Sequence, residues 1–372
     1  MPAFIDGNQA IATAAVDAGC DFFAGYPITP ATQILLHLAD ALPKVGGLVI
    51  QGEDEIASLG FCIGAAMSGR RAMTATSGPG ISLYSENIGL AIMGEVPLVI
   101  VDVQRMGPAT GAATTGSQGD VQFLRWGTSG GYPVVVLSPS TVAECYTLTI
   151  QAFELAEKLR TPVFLATDKE TAQTRTSVEL KRDQQVAASR KYAPPGAKYQ
   201  PLGIKREEEI PDFTPFGGEH TLRFTTSSHD QDGYLTKDPA ALDFLNRHLY
   251  QKIESRRDEL ELVELDLEDG ADDLILSYGI TARSARAAAE KLRANGKNIS
   301  LCTVYSLWPV PKNSIQRAMQ GVRRVILPEL NFGQYAREIE RLSCGKVEII
   351  PINRVDGKLI SPDQILEEGG LR

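Results

Sequence analysis

Residues 48–97 read LVIQGEDEIASLGFCIGAAMSGRRAMTATSGPGISLYSENIGLAIMGEVP. The apolar LVI at 48–50 predicts a short strand, ended by Gln51 and Gly52. Three acids follow, Glu53, Asp54 and Glu55, and then a Gly- and Ala-rich apolar run predicts a helix from Ile56 to about Ser68. A second strand is expected over 72–77, then a glycine turn at Gly78, Pro79 and Gly80, then another helix. Strand and helix alternating at this pace is the signature of a parallel sheet with helices on its faces. Acids in a first helical turn complement the macrodipole, so Glu53 and Asp54 read as N-terminal capping residues. Glu55 leads directly into Ile56, Ala57, Leu59, Phe61, Cys62 and Ile63. That helix is apolar nearly all round and is expected to be buried. It would carry Glu55 to the edge of a core, where a carboxyl group is a candidate proton-sharing partner.

The rhythm extends on both sides. A short helix over 8–18 and a strand over 21–24 precede residues 25–30, GYPITP, after which ATQILLHLADAL predicts a helix. Thr29 fits that helix's N-cap and Pro30 its first position. The run PLVIVDVQ at 97–104 is nearly continuous in apolar residues, as in a strand buried on both faces. It delivers Arg105 to the carboxyl end of the sheet, where open α/β sheets bind ligands. A guanidinium there suits a carboxylate, or forms a surface salt bridge. Residues 107–119, GPATGAATTGSQG, are a long Gly- and Thr-rich loop of the kind that is usually functional. A strand over 133–137, a helix over 141–158 and a strand over 162–167 complete the first domain. Residues 170–270 lose the alternation, apart from a helix from Ala240 to about Arg257. From Asp272 onward it returns as a compact, flavodoxin-like pattern in which 298–309, NISLCTVYSLWP, reads as one strand. The expected division is a first domain over 1–190, a linker and excursion over 191–268, and a second α/β domain over 269–372.

The chain has 372 residues, long enough for two domains with separate cores. Its formal net charge of −9 argues against nucleic acid and against an anionic membrane surface. No run approaches the ~18 apolar residues of a membrane span. MPAFIDGNQA lacks a basic and an apolar leader region, so no secretory signal is expected and the location reads as cytoplasmic. The five cysteines, Cys20, Cys62, Cys145, Cys302 and Cys344, form no Cys-x-x-Cys pair. They read as buried thiols rather than ligands of an iron–sulfur cluster or a metal.

Three motifs in order carry a resemblance: GYPITP at 25–30, Glu55 with its small-residue helix, and TSGPG at 76–80. Together they resemble the alpha subunits of the 2-oxoacid:ferredoxin oxidoreductase family, most of all its 2-oxoglutarate-using members. The likeness covers most of 5–170 and returns over about 272–345. It implies a pyrimidine-type thiamine-diphosphate-binding α/β domain followed by a smaller domain of the transketolase C-terminal type. It implies oxidative decarboxylation of a 2-oxoacid, with coenzyme A and ferredoxin, in a cytoplasmic (alpha-beta)2 heterotetramer or larger assembly. Glu55 would face the cofactor's aminopyrimidine ring as the catalytic acid, with Pro27, Ile28, Ser77 and Gly78 also at the cofactor. Tyr26, Thr29, Arg105, Thr114 and Thr115 would bind the substrate. Many 2-oxoglutarate-using members carry an arginine in the loop where this chain has ATTGSQ at 113–118, without a charge, so that loop is expected to set which 2-oxoacid is used. His229 and Asp230 with Gly233 resemble a His-Asp-x-x-Gly loop of the family, and 328–334, PELNFGQ, a motif of its second domain. Both also read as ordinary turns.

One half of such a site is missing. Gly119 and Asp120 continue as Val121 rather than as Gly-Asp-Gly, and no asparagine stands between Asn87 and Asn246. The chain is therefore expected to lack the anchor for diphosphate and Mg²⁺. A beta subunit would supply that anchor together with a 4Fe-4S cluster, and thiamine diphosphate would be shared between the two. A dinucleotide fingerprint is also absent. The alternatives are a pyruvate or branched-chain version of the same enzyme, a transketolase- or E1-type subunit, and a non-catalytic scaffold in which Glu55 is only a cap.

Overall fold

The computed structural model describes residues 2–180 and 189–371. The first part of the chain carries strands β1 (Ala3–Ile5), β2 (Phe22–Gly25), β3 (Leu48–Gln51), β4 (Ala72–Thr76), β5 (Leu98–Gln104), β6 (Val135–Leu137), β7 (Pro162–Asp168) and β8 (Thr176–Val178). Between them run helices α1 (Gly7–Asp17), α2 (Thr32–Ala41), α3 (Glu55–Met67), α4 (Gly78–Leu83), α5 (Ser85–Met93), α6 (Val121–Trp126), α7 (Val142–Leu159) and α8 (Lys169–Gln173). Helix α9 (Pro239–Glu254) follows a long irregular stretch. The remainder comprises β9 (Val263–Asp266), β10 (Asp273–Ser277), α10 (Thr281–Ala294), β11 (Ser300–Val304), β12 (Ser306–Trp308), α11 (Lys312–Ala318), β13 (Arg324–Glu329), α12 (Ala336–Ser343), β14 (Glu348–Asn353) and α13 (Pro362–Glu368).

Two larger sheets result. The first has the order β12-β6-β7-β5-β4-β2-β3, parallel throughout except for β12 against β6, and the second the order β14-β13-β10-β11-β9. Strands β5 and β7 are buried along their whole length, as their apolar sequences require. One face of the first sheet is closed by α1, α2 and α7. On the other face, residues of α3 and α5 share one core with Leu274, Leu276, Val325 and Tyr335 of the second unit.

Four local expectations are corrected. Residues 298–309 are not one strand, because the amides of Tyr305 and Ser306 both bond to the carbonyl of Leu262 and the chain breaks between β11 and β12. Strand β12 then crosses to the first sheet, while β9, which precedes residue 269, pairs with β11. Thr29 does not cap α2, which begins at Thr32 behind an Ala31 whose side chain makes no cap bond. Nor is α3 buried all round. One side packs on the sheet, but Ile56, Gly60, Phe61 and Gly64 form an open apolar stripe, with Ile56 51% and Phe61 45% exposed. No element of this chain covers that stripe among the described residues, and a Cβ on Gly60 or Gly64 would meet only open space. Asp54 does cap α3, accepting from the Ala57 amide at 2.7 Å. Cys20, Cys62, Cys145 and Cys302 are buried, whereas Cys344 is exposed because it ends α12 in a left-handed turn. Burial pushes the Cys62 thiol up to about 12, leaving it a packing group rather than a nucleophile.

Helix α9 is pinned to the first part of the chain by buried charge. Lys252 of α9 donates to Glu95 at 2.9 Å and to the Arg160 carbonyl at 2.9 Å, and His248 lies 3.1 Å from the other Glu95 oxygen. Lys252 and His248 outweigh desolvation and hold the Glu95 carboxyl well below the usual range. Lys252→Ala leaves that buried carboxylate with His248 alone beside it and is expected to destabilise the fold by about 3–5 kcal/mol. Urea unfolding of the variant beside wild type measures this, and a loss below about 1 kcal/mol, the worth of a surface pair, contradicts the assignment.

Candidate active site

The carboxyl ends of β2, β3, β4 and β5 point the same way. Strand β3 lies on one side of β2 and β4 on the other, a reversal of strand order that leaves a crevice at those ends. Glu55 enters it as the first residue of α3 and is only 7% exposed. Beside it, β4 ends in Thr76 and Ser77, and α4 starts at Gly78. A Cβ placed on Gly80 would collide with the Thr76 hydroxyl and come within 2.9 Å of the Glu55 carboxyl. Glycine at 80 therefore lets the backbone of α4 approach the acid.

Arg105 follows β5 and is 5% exposed. Its guanidinium is held by backbone alone, donating to the carbonyl of Thr29 at 2.6 Å and to that of Thr110 at 3.2 Å. No carboxylate pairs with it within 4 Å among the described residues. The salt-bridge alternative is thus corrected, because burial and two carbonyls fix the side chain where surface acids do not reach. The hexapeptide at 25–30 meets Arg105 through that Thr29 carbonyl, and Asn8 steadies it by donating to the Pro30 carbonyl at 3.1 Å. Tyr26 and Thr29 are exposed at the rim, and Pro27 and Ile28 are half-buried behind them.

Several polar atoms of this crevice are buried without a partner among the described residues: Thr76 Oγ1, Ser77 Oγ, Arg105 Nε, both oxygens of Asp102 and one of Asp120. Thr76 and Asp102 are paired neighbours on β4 and β5. Buried polar atoms left unpaired are costly, and their concentration at one sheet end marks a place built to receive a polar ligand. Asp102 and Asp120 also face one another. Burial first, and then repulsion by Asp120, raise Asp102 well above the carboxylate range; burial raises Asp120 to about 6, with a hydrogen bond from Asp102 and the charge of Arg105 partly offsetting that rise.

Next to this cluster opens a cleft of about 600 Å³, lined by Gly78 and Pro79, by Met106, Pro108, Ser117 and Asp120 of the long loop, and by Asn331, Phe332, Gln334 and Val355 of the second unit. The 328–334 motif holds the loop. Asn331 donates to the Gln118 carbonyl at 2.8 Å and Gln334 to the Gly119 carbonyl at 2.6 Å, while the Gln118 amide donates to the Leu330 carbonyl and the Gln118 side-chain oxygen accepts from the Leu330 amide.

Other candidates are not brought here. Thr114 is exposed outside the cleft, and the Thr115 methyl packs on the turn at Gly357, whose Cβ position it would overlap. Gly116 is buried against Glu170. The loop therefore reaches the cleft through its two ends and not through ATTGSQ as a whole. His229 lies near Met67, at the far end of α3 from Glu55, about 18 Å away along a 13-residue helix. There Asp230 accepts the amides of Asp232 and Tyr234 at 3.0 Å each, the turn expected of it. Asp102 was the missed residue. An aspartate inside LVIVDVQ, a strand buried on both faces, is itself the signal.

Comparison with known proteins bears on this geometry. The family described as pyruvate flavodoxin/ferredoxin oxidoreductase, thiamine diphosphate-binding, matches residues 13–241, and pyruvate:ferredoxin oxidoreductase core domain II matches 271–365. The chain is 38% identical to the 2-oxoglutarate synthase subunit KorA of Methanothermobacter marburgensis, over 98% of this chain and 97% of that one. It is 37% identical to the ketoisovalerate oxidoreductase subunit VorB of Methanothermobacter thermautotrophicus, over 98% and 96%. Its structure is similar to a 2-oxoglutarate:ferredoxin oxidoreductase from Magnetococcus marinus solved with 2-oxoglutarate, coenzyme A and succinyl-CoA bound. The TM-score is 0.93 at 31% identity, covering 99% of this chain and 65% of that longer one.

Proposed function

The chain belongs to the 2-oxoacid:ferredoxin oxidoreductase family, as an oxidoreductase subunit with a thiamine-diphosphate-binding domain, and from that premise we propose that it supplies the pyrimidine-side half of a shared active site. The observation that carries this reading is the crevice at the carboxyl ends of β2 to β5. There Glu55, the unpaired Thr76 and Ser77 hydroxyls and a backbone-held Arg105 converge beside a glycine-opened α4. These residues fit thiamine diphosphate, which when bound supplies the nucleophilic carbon and electron sink for decarboxylating a 2-oxoacid. Glu55 holds a proton at the aminopyrimidine ring nitrogen. Ser77, Gly78, Pro27 and Ile28 wall the ring. Arg105, with Thr29 and Tyr26 at the rim, orients the substrate's carboxylate, and such positioning alone lowers a barrier by several kcal/mol.

A second subunit completes the site. It holds Mg²⁺ and the diphosphate, for which this sequence has no motif, and carries a 4Fe-4S cluster that passes electrons to ferredoxin. Coenzyme A takes the acyl group, and the assembly is an (alpha-beta)2 heterotetramer or larger. The open stripe of Ile56, Gly60, Phe61 and Gly64 supports a partner docking beside Glu55, since so apolar a surface next to a functional residue marks an interface. Among 2-oxoacids, 2-oxoglutarate is favoured by the KorA likeness. The branched-chain acid is the second reading, because VorB is nearly as similar.

The isolated chain is expected to bind thiamine diphosphate and Mg²⁺ only weakly, with a Kd above about 100 µM, corresponding to less than roughly 6 kcal/mol. Titration calorimetry with and without the partner subunit measures it. Micromolar binding by the chain alone contradicts the shared site.

A further inference from the structure

The cleft has one ionisable side chain among its lining residues, Asp120. Its neighbour Asp102 is fully buried on β5, and apart from the Asp120 carboxyl that faces it neither Asp102 oxygen has a hydrogen-bond partner among the described residues. The Asp120 backbone is fixed by its amide donating to Gln104 Oε1 at 3.1 Å. Around the pair, β4 presents Thr76 and β7 presents Ala166, and Arg105 is the one cation that acts on Asp120. Two carboxyls facing each other away from water cannot both ionise, so the pair shares one proton at neutral pH.

We propose that Asp102 and Asp120 recognise the distal carboxylate of a dicarboxylic 2-oxoacid by taking up a second proton and donating it as an O–H···O⁻ hydrogen bond. The inference rests on the proposed function, with a 2-oxoacid held at Arg105 extending its far end into this adjoining cleft. Arg105 serves the carboxylate that every 2-oxoacid carries, and the loop at 113–118 offers no charge. A second carboxylate in the cleft meets Ser82, Ser117, Asn331 and Gln334 as neutral groups, and Asp120, backed by Asp102, as the one lining group whose charge changes with pH. With one proton the pair is anionic and repels it. With two it donates a charge-assisted bond, among the stronger kinds available. Uptake of the second proton is governed by Asp120, whose carboxyl is raised to about 6 by burial, against the opposing hydrogen bond from Asp102 and the charge of Arg105. Recognition is thus complete below that pH and declines above it. A monocarboxylic 2-oxoacid has no group to receive the proton and escapes the dependence.

The test is the ratio of kcat/KM for 2-oxoglutarate to that for 2-oxoisovalerate, measured on the assembled enzyme from pH 5.5 to 8.5. Effects on cofactor, coenzyme A and electron transfer cancel in this ratio. In wild type it should fall about tenfold per pH unit above pH 6, the signature of one linked proton. In Asp120→Asn the amide donates at every pH, so the ratio should become flat. Asp102→Asn gives Asp120 a permanent donor and should move the fall to lower pH, which a merely structural role would not do. Calorimetry of 2-oxoglutarate binding at pH 7.5 in two buffers of different ionisation enthalpy should show uptake of close to one proton. A flat ratio in wild type with both substrates turned over, or a slope that survives in Asp120→Asn, overturns the inference while leaving the functional reading intact. Turnover of neither substrate overturns both.

Discussion

Glutamine at position 55 is expected to lower 2-oxoacid turnover by roughly 10²–10⁴-fold, the range for losing a positioned acid–base group, while the subunits still assemble. The substitution keeps shape and removes only the exchangeable proton. Helix α3 should survive it, because the helix is capped by Asp54 and packed through Leu59, Cys62 and Ile63, none of which is touched. Asp54→Ala is the structural control. It removes the bond to the Ala57 amide and should cost about 0.5–2 kcal/mol of stability with a far smaller effect on turnover. Initial rates, thermal melting and size-exclusion profiles of both variants separate the roles. A Glu55→Gln enzyme within tenfold of wild type rules out Glu55 as the acid and returns it to the capping role that its sequence position also allows.

Arg105→Ala is expected to reduce kcat/KM for every 2-oxoacid by a similar factor. Removing one partner from a buried charge pair costs about 2–5 kcal/mol, which is ~30- to several-thousand-fold. The guanidinium is already immobilised by the carbonyls of Thr29 and Thr110, with Nε left over, so little ordering remains to oppose carboxylate binding. Lysine at 105 should rescue poorly, because a point charge cannot span two carbonyls and still present a fork. Steady-state kinetics with 2-oxoglutarate, pyruvate and 2-oxoisovalerate provide the check. A variant that loses one substrate and keeps the others shows that Arg105 reads a side group and not the shared carboxylate.

Much of this architecture is legible in the chain because it is local. Runs such as LVIVDVQ state a strand buried on both faces, and the spacing of helices between them states a parallel sheet. Glu55 is legible for the same reason: an acid that leads without a break into an apolar helix is carried to the edge of a core. Features that arise from distant segments meeting are not legible. SLW at 306–308 looks continuous with β11, and only the shared Leu262 carbonyl turns it toward the first sheet. Thr29 has a cap's chemistry, but its carbonyl is taken by Arg105, 76 residues away, and α2 starts later. The loop at 107–119 advertises function by composition, yet which of its residues reach the cleft depends on Asn331, Gln334 and Gly357 holding it from the second unit. The open face of α3 is not legible either, because apolarity alone cannot distinguish a core of this chain from a surface awaiting another.

The most direct test of a shared active site is decarboxylation measured with this chain alone, with its partner alone and with the two combined. Each sample contains thiamine diphosphate, Mg²⁺, coenzyme A, oxidised ferredoxin and 2-oxoglutarate labelled in the carboxyl carbon next to the keto group. Labelled CO₂ and reduced ferredoxin are expected only from the combination, and both should be lost when the combined chain carries Glu55→Gln. Full-rate release by the partner alone would contradict a shared site, making this chain a scaffold, and so would turnover by this chain without a partner.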